Sequence, residues 1–260
     1  MQTPSVALVV ASQNNDNTTW IHHTHPTWTK HVYTTDDPDA ALTVPKNKGR
    51  EAMVYLTFII DHYATLPDVT IFHHAAQYQW HNDDPDYDAS RLLGQLQIPY
   101  VLSRGYANLR CVWTIGCPPD SISPHKRQQP FALQAIDGAG NSVDYNELYK
   151  AVYEQLFPSE PVPEHVGAPC CAQFAVTANT ILQRPVSEYE YFRKWLLETD
   201  LADEVSGRIM EYFWHIIFQR PALDCLAAST CYCSLYGLCD LHCEFKGVCL
   251  EQWQRPKEMQ

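Results

Sequence analysis

Three apolar runs and one helical segment near the amino terminus restrict the fold more strongly than any other feature. Residues 5–12 form a valine-rich run typical of a strand that is covered on both faces. A second short strand is predicted at 30–34. Residues 48–63 repeat apolar side chains at helical spacing, and a third strand is predicted at 69–72. Strand, helix and strand in this order indicate a crossover, so we predict an α/β fold with a mostly parallel sheet.

The rest of the chain is predicted to be mainly helical. The expected elements are helices at 145–156, 187–198 and 203–218 and a late strand at 173–176. A proline-rich link from Pro158 to Pro169 resembles a domain boundary, but the remaining residues are too helical and cysteine-rich to stand alone. We therefore predict a single α/β domain over residues 1–260, in which residues 225–260 form a cysteine-rich tail.

Composition places the protein among globular proteins with a substantial core. Hydrophobic residues make up 45% of the 260 residues and charged residues only 18%, whereas disorder needs the opposite balance. No apolar run approaches the roughly 18 residues that cross a bilayer. The opening segment has no basic region before its apolar run, so it resembles a strand more than a secretion signal. These observations predict a cytoplasmic protein without a membrane partner.

Ten cysteines are many for a cytoplasmic chain, and six of them lie in residues 225–260. None of the spacings gives the paired C-x-x-C pattern of common zinc modules. Three interpretations remain open: a disulfide-linked tail, an irregular metal site that includes His242, or buried free thiols. Free thiols are the default expectation, because intracellular thiols stay reduced.

A polar cluster opens the first long helix. Arg50 and Glu51 precede backbone N–H groups that have no partner inside the helix, so this end attracts an anion. Glu51 has the chemistry to accept a proton or to pair with a cationic substrate group. The alternative is that Glu51 only helps the helix to start and that Arg50 pairs with a nearby acid.

A second polar cluster follows the strand at 69–72, where ligand sites form in open α/β sheets. His74 ends that region, and the loop at 80–88 adds His81, Asp83 and Asp84. Histidine suits proton transfer near neutral pH, and clustered carboxylates hold a guanidinium or a metal ion. The Asp-x-Asp patterns in this loop also occur in metal-dependent sugar transferases. The alternative is that the aspartates only form turns.

The helix predicted at 203–218 offers a third polar stripe, which includes Glu211 and His215. Either this stripe faces the same crevice, or the helix is buried and Arg208 and Glu211 pair internally. The chain contains no P-loop, dinucleotide fingerprint or nucleophile elbow, so the usual NTPase, dehydrogenase and hydrolase functions have no support.

Four longer blocks together resemble one family. They are residues 44–52, 80–88, 108–118 and 206–215. From the first strand to Gly237, the chain is similar to the fungal arginine-containing cyclodipeptide synthases. The resemblance implies a tRNA-dependent transferase of fungal secondary metabolism that condenses arginine and a second amino acid, both from charged tRNAs, into a diketopiperazine. It also implies a Rossmann-like, glycosyltransferase-A-like domain, and an activated ester substrate that requires no cofactor.

With this function in view, the candidate residues receive roles. Glu51 and His81 are predicted to be catalytic and to move protons. Asn47 with Arg50 is predicted to polarise an ester carbonyl or to hold the terminal phosphate. Asp83 or its acidic neighbours are predicted to bind the guanidinium. The full set of predicted substrate-binding residues is Asn47, Arg50, Tyr55, His74, Asp83, Asp84, Arg110, Glu211 and His215, and no metal ligand is predicted.

Two other functions stay open. The first is a glycosyltransferase-like enzyme that uses a nucleotide sugar and a divalent metal at Asp84–Asp88. The second is a noncatalytic binding protein whose cysteine tail recognises a partner. The net charge of −12 argues against broad attraction to nucleic acid, so a tRNA-dependent enzyme needs a confined basic strip.

Overall fold

The computed structural model of the protein describes residues 3–125, 134–136 and 142–256. Its strands are β1 Val6–Ser12, β2 Thr29–Thr34, β3 Val69–His74, β4 Tyr106–Asn108, β5 Gln134–Ile136, β6 Ser142–Asp144 and β7 Phe174–Thr177. Its helices are α1 Thr19–His23, α2 Glu51–Asp61, α3 Ala89–Gln95, α4 Ile98–Arg104, α5 Tyr145–Leu156, α6 Ala178–Ile181, α7 Val186–Glu198, α8 Asp203–Glu211, α9 Trp214–Ile217 and α10 Ala228–Tyr236.

Five strands form the main sheet in the order β2-β1-β3-β7-β4. Strand β1 pairs in parallel with both β2 and β3, as the sequence predicts. Strand β7 runs antiparallel to β3 and to β4, so one strand of five opposes the others. The protein is therefore an α/β protein with a mostly parallel sheet. Strands β5 and β6 form a separate antiparallel pair.

Both faces of the sheet are buried, which explains why the first strand is apolar throughout. Ala7 and Val9 belong to the hydrophobic cluster that includes α2, α5, α7 and α8. Val6, Leu8 and Val10 face the opposite way, toward a cluster that includes α3 and α10. Alternate side chains of a strand point to opposite faces, so a run that is apolar at every position needs cover on both. The prediction of a single domain stays a prediction.

The predicted helix at 48–63 is confirmed but begins later, at Glu51. Gly49 and Arg50 have φ angles of 70° and 52°, which no right-handed helix contains. A side chain at Gly49 would also approach Leu196 Cδ1 of α7 to 2.5 Å. These two residues therefore direct the chain sharply into α2. The helix is buried at every position from Ala52 to Ile59, between the sheet and α7.

The cysteines form five disulfide bonds and none is free, so the expectation of free thiols is wrong. The pairs are Cys111–Cys231, Cys117–Cys225, Cys170–Cys171, Cys233–Cys239 and Cys243–Cys249. The alternative of a disulfide-linked tail is confirmed, and two of the bonds also tie the tail to the segment after β4. Disulfides of this number favour an oxidising compartment, while the cytoplasmic location stays a prediction. Among the described residues, no helix has the length and apolar character of a membrane span.

Candidate functional site

The two polar clusters predicted from the sequence lie side by side at the carboxyl edge of the parallel strands. Glu51 begins α2, and its Oε2 lies 3.8 Å from Nε2 of His74, the last residue of β3. Nδ1 of His74 lies 3.2 Å from Nδ1 of His81 in the following loop. The structure therefore connects Glu51 to His81 through His74, while the catalytic role of these residues stays a prediction.

Two glutamates, Glu51 and Glu211 at the end of α8, form the acidic centre of this site. Their side chains are only 10% and 15% exposed. Burial, followed by the nearby charge of Glu211, raises the pKa of Glu51 to about 8. Burial also raises the pKa of Glu211, although Arg208 counteracts part of this effect. Because two buried carboxylates resist being charged together, the pair retains a proton near neutral pH.

Two arginines border the acidic pair. Arg208 Nη1 lies 2.9 Å from Glu211 Oε2 in an ion pair on α8. The charges of Arg50 and Arg208 both lower the pKa of Glu51, although less than burial raises it. The aliphatic part of Arg50 lies against Gly207, where an added Cβ would approach Arg50 Cγ to 3.0 Å. The internal pairing of Arg208 with Glu211, one of the two alternatives expected from the sequence, is therefore present.

His74 and His81 are neutral imidazoles. Burial lowers the pKa of His81 to about 3, and the charge of Arg110 contributes next. Burial also lowers the pKa of His74 well below its usual value. In the contact between the two Nδ1 atoms, one nitrogen carries the proton and the other accepts it. The approach of His74 to Glu51 is therefore a contact of neutral groups, and 3.8 Å is too long for a hydrogen bond.

Gln173, which was not among the residues predicted from the sequence, connects the end of β3 at His74 with the loop that carries His81. Its side chain is buried, and its Oε1 accepts a hydrogen bond from the backbone N–H of His74 at 3.3 Å. Its Nε2 donates to the carbonyl of His81 at 3.4 Å and to Oδ1 of Asn82 at 3.3 Å. A single glutamine before an apolar strand gives no signal in the sequence. Its role depends on the antiparallel insertion of β7 beside β3.

Arg110 is buried beneath the loop that carries His81. Its Nη1 donates to the carbonyls of Trp80 and His81 at 3.0 and 3.2 Å. Its guanidinium carbon lies 4.1 Å from the ring centre of Trp253 and 5.5 Å from that of Trp80, in the range of cation–π contacts. Burial lowers the pKa of Arg110 to about 10, so it stays charged at neutral pH. These contacts make it a support of the loop.

The carboxylates of Asp83 and Asp84 already have hydrogen-bond or ion-pair partners within the protein, which argues against the predicted guanidinium site. Asp83 Oδ2 accepts from the backbone N–H groups of Cys111 and Val112, and its Oδ1 accepts from the hydroxyl of Tyr232 at 2.6 Å. Asp84 Oδ1 accepts from two backbone N–H groups of its own loop, and Arg91 pairs with the same carboxylate. Both are buried and shape the loop.

The remaining predicted residues occupy different places. Tyr55 lies one turn after Glu51, fully buried, and both glutamates help burial to raise the pKa of its hydroxyl. Asn47 is exposed in the segment before α2. His215 is buried, its Nε2 lies 2.9 Å from the carbonyl of Ala222, and the charge of Asp224 opposes the effect of burial, which lowers its pKa. The structure therefore does not bring His215 to the glutamate pair.

Several buried polar atoms of the site have no hydrogen-bond partner among the described residues. They are the Tyr55 hydroxyl, Nε2 of His74, and Nε and Nη2 of Arg110. Buried polar groups in native proteins are nearly always hydrogen-bonded. Such a concentration beside an acid pair with a raised pKa is typical of a functional site.

The fold and the site define the class: an α/β protein with a buried acid–imidazole centre at the carboxyl edge of its sheet. A family described as "Protein of unknown function (DUF3431)" matches residues 8–234, and the chain belongs to this family. Searches of curated proteins and of solved structures found no match to the chain. Every residue of the centre lies inside the matched range.

Proposed function

We propose that the protein is a tRNA-dependent cyclodipeptide synthase that condenses arginine and a second amino acid into a cyclo-Arg-Xaa diketopiperazine. The observation that carries this proposal is the buried acidic centre of Glu51 and Glu211, in which Glu51 lies 3.8 Å from neutral His74 and His74 in turn contacts neutral His81. The resemblance of four sequence blocks to that family supports it. We also propose a Rossmann-like, glycosyltransferase-A-like domain. The mostly parallel sheet with one antiparallel inner strand supports that part.

Glu51 is the general base of the proposed reaction. An aminoacyl ester is already activated, so the enzyme needs mainly to deprotonate an α-ammonium group and to align two substrates. Free α-amino groups have pKa values of about 7.7–8.0. Glu51 has a pKa of about 8, so a proton passes between the two groups at little energetic cost. Neutral His74 lies between Glu51 and His81, and a proton relay to His81 requires the 3.8 Å gap between Glu51 and His74 to close when substrate binds.

The reaction balances with these groups alone. In its ionised form, Glu51 takes one proton from the α-ammonium group, and the freed amine nitrogen forms a bond to the ester carbonyl carbon of the other amino acid. The ester C–O bond then breaks as a second proton passes from that nitrogen to the departing tRNA oxygen, and Glu51 releases its proton to solvent. The free amine of the dipeptidyl-tRNA repeats the attack on the remaining ester, closing the ring and releasing the second tRNA. Arg50 and Arg208 stabilise the oxyanion formed in each step.

The substrate cation takes a different partner from the one predicted from the sequence. The carboxylates of Asp83 and Asp84 are occupied by hydrogen bonds and an ion pair within the protein. The second carboxylate of the centre is therefore that of Glu211. We assign it to the substrate guanidinium, which then shares Glu211 with Arg208. Arg50 is exposed beside this centre and supplies part of the basic strip that a tRNA terminus requires.

The test is expression in a bacterium, followed by mass spectrometry for arginine-containing diketopiperazines. Cells with the wild-type chain are expected to accumulate one. Glu51→Gln is expected to reduce the product by about 10²–10⁴-fold, the range that general base catalysis contributes. Glu190→Gln, an exposed position on α7, is the matched control and is expected to retain the product. Purified protein that forms no diketopiperazine from charged tRNAs would refute the proposal.

The disulfides favour a second candidate function, a glycosyltransferase-like enzyme. Charged tRNA is used in reducing compartments, whereas disulfide-bonded proteins belong to oxidising ones, where nucleotide sugars are also used. Two of the aspartates proposed for its metal have other partners: Asp86 forms an ion pair with Arg91, and Asp88 caps the amino terminus of α3. Incubation with nucleotide sugars and manganese separates the candidates, because nucleotide release favours the transferase.

A further inference from the structure

A segment of the cysteine-rich tail crosses the loop that carries His81. Trp253 is 4% exposed, and its indole N–H donates to the carbonyl of Trp80 at 2.7 Å. The carbonyl of the next residue, Gln254, accepts a hydrogen bond from the hydroxyl of Tyr87 at 2.7 Å. The tail thus holds this loop at both ends, at residues 80 and 87.

The same tryptophan covers the guanidinium that supports His81. Trp253 lies over one face of Arg110 at 4.1 Å, while Arg110 Nη1 bonds the carbonyls of Trp80 and His81. The carbonyl of Trp80 therefore accepts from both Trp253 and Arg110. Removal of the indole opens the guanidinium to water and removes one of the two donors from that carbonyl.

The His81 ring is held where its protonation is unfavourable. Burial is the largest cause of its lowered pKa, the charges of Arg110, Arg208 and Arg50 follow, and His73 and His74 lie on the strand beside it. In its present position the ring is bonded to His74 and lies 3.0 Å from Oε1 of Gln79. A loop that moves outward takes the imidazole away from these charges and into water.

We propose that Trp253 is a positioning residue that holds His81 in the functional site, acting through Arg110 and the carbonyl of Trp80. The family match ends at residue 234, so this support comes from a part of the chain outside the matched range. Only the importance of His81 for turnover rests on the proposed function. The placement of its ring is testable without any substrate.

The experiment follows the His81 imidazole by long-range ¹H–¹⁵N NMR on the full-length protein, with His81→Gln to identify its signals. In the wild type, we expect these signals to stay constant between pH 5 and 8. In Trp253→Ala, we expect them to titrate within this range, a shift of at least two pH units, and product formation to fall about tenfold. Phe245→Ala is the matched control, since Phe245 is a tail aromatic that is 70% exposed. It should behave as the wild type.

A folded Trp253→Ala protein whose His81 signals stay constant like those of Phe245→Ala would overturn the proposal. Should that variant fail to fold, Trp253→Phe decides the question, because it keeps a ring over Arg110 and removes only the N–H donor. It should move the His81 titration in the same direction by a smaller amount, and an unchanged titration would overturn the proposal. If the wild type forms no diketopiperazine, the proposed function fails but the NMR result still stands.

Discussion

The most consequential single residue is Glu51, because the fold keeps its carboxyl group where ionisation is unfavourable. Its pKa is about 8, whereas an exposed glutamate titrates near 4.5. Between these values the folded protein binds more protons than the unfolded chain. Stability therefore falls as pH rises from about 4.5 to 8 and then levels off. A raised acid pKa thus destabilises the fold at neutral and alkaline pH, which proteins tolerate mainly at functional sites.

This sign leads to a prediction for Glu51→Gln, which removes the ionisable group but keeps its size. We expect the variant to gain stability over the wild type as pH rises, reaching on the order of a few kcal/mol at pH 8. At pH 4 the two proteins should differ little. Urea unfolding at pH 4, 6 and 8 measures the difference. Glu190→Gln should show no such trend, and a pH-independent difference for Glu51→Gln would contradict the assignment.

The shared placement of Glu51 and His81 could be predicted from the sequence, whereas contacts between distant segments could not, and the catalytic role of both residues stays a prediction. Glu51 and His81 were recognisable because charged groups at a helix start and after a strand share one edge of the sheet. Gln173 was not, because its partners become neighbours only when β7 inserts beside β3. Asp83 had the right chemistry for a ligand, but its bonds to Cys111 and Tyr232 arise from segments distant in sequence.

Among the elements, α8 contacts the entry to α2 beside the site. Gly207 lies in the middle of α8, against the side chain of Arg50. Glycine usually weakens a helix by roughly 1 kcal/mol relative to alanine. Its presence here has a local reason, because a Cβ at this position would press on Arg50. The glycine thus lowers the stability of α8 but leaves room for the charged side chain of Arg50.

Gly207→Ala is therefore expected to separate stability from activity. The added methyl group should leave stability unchanged or raise it by up to about 1 kcal/mol, since the Arg50 side chain is flexible enough to move. Displacement of Arg50 should lower product formation about tenfold. Gly94→Ala on α3 is the matched control, because no atom lies within 4 Å of its added Cβ. It should gain similar stability and keep full activity, and equal activity in both variants would refute this role of Gly207.

Element prediction was accurate for long apolar patterns and weaker at breaks and turns. The three parallel strands follow from short strand-like segments, and α2 follows from its helical periodicity. The helix expected at 203–218 is divided at Tyr212 and Phe213, which are both buried, and no helix-breaking residue marks this division in the sequence. The antiparallel direction of β7 could not be predicted from the sequence either, since it depends on which side of β3 the returning chain approaches.

For the whole molecule, the disulfides decide how the cysteine-rich tail is held. Cys111–Cys231 and Cys117–Cys225 close loops of 120 and 108 residues, whereas Cys233–Cys239 and Cys243–Cys249 span only 6. The positions of the cysteines are known from the sequence, but their pairing cannot be derived from it. Free thiols were predicted because the protein was expected in a reducing compartment. Pairing depends on the approach of α10 to the segment after β4, which is a property of the complete fold.

The long and short disulfides should contribute unequally to stability, and this difference bears on the function. Loop closure gives about 5 kcal/mol for Cys111–Cys231 and about 2 kcal/mol for Cys233–Cys239. Serine pairs at 111 and 231 should therefore lower the urea midpoint more than serine pairs at 233 and 239.

A tRNA-dependent enzyme must also keep its activity with reduced cysteines, because charged tRNA is used where thiols are reduced. Thiol titration of protein from a reducing cytosol, together with diketopiperazine formation by the same sample, tests this directly. Diketopiperazine formation by the reduced sample would support the tRNA-dependent function, and its absence from both the reduced and the oxidised protein would favour the glycosyltransferase-like function.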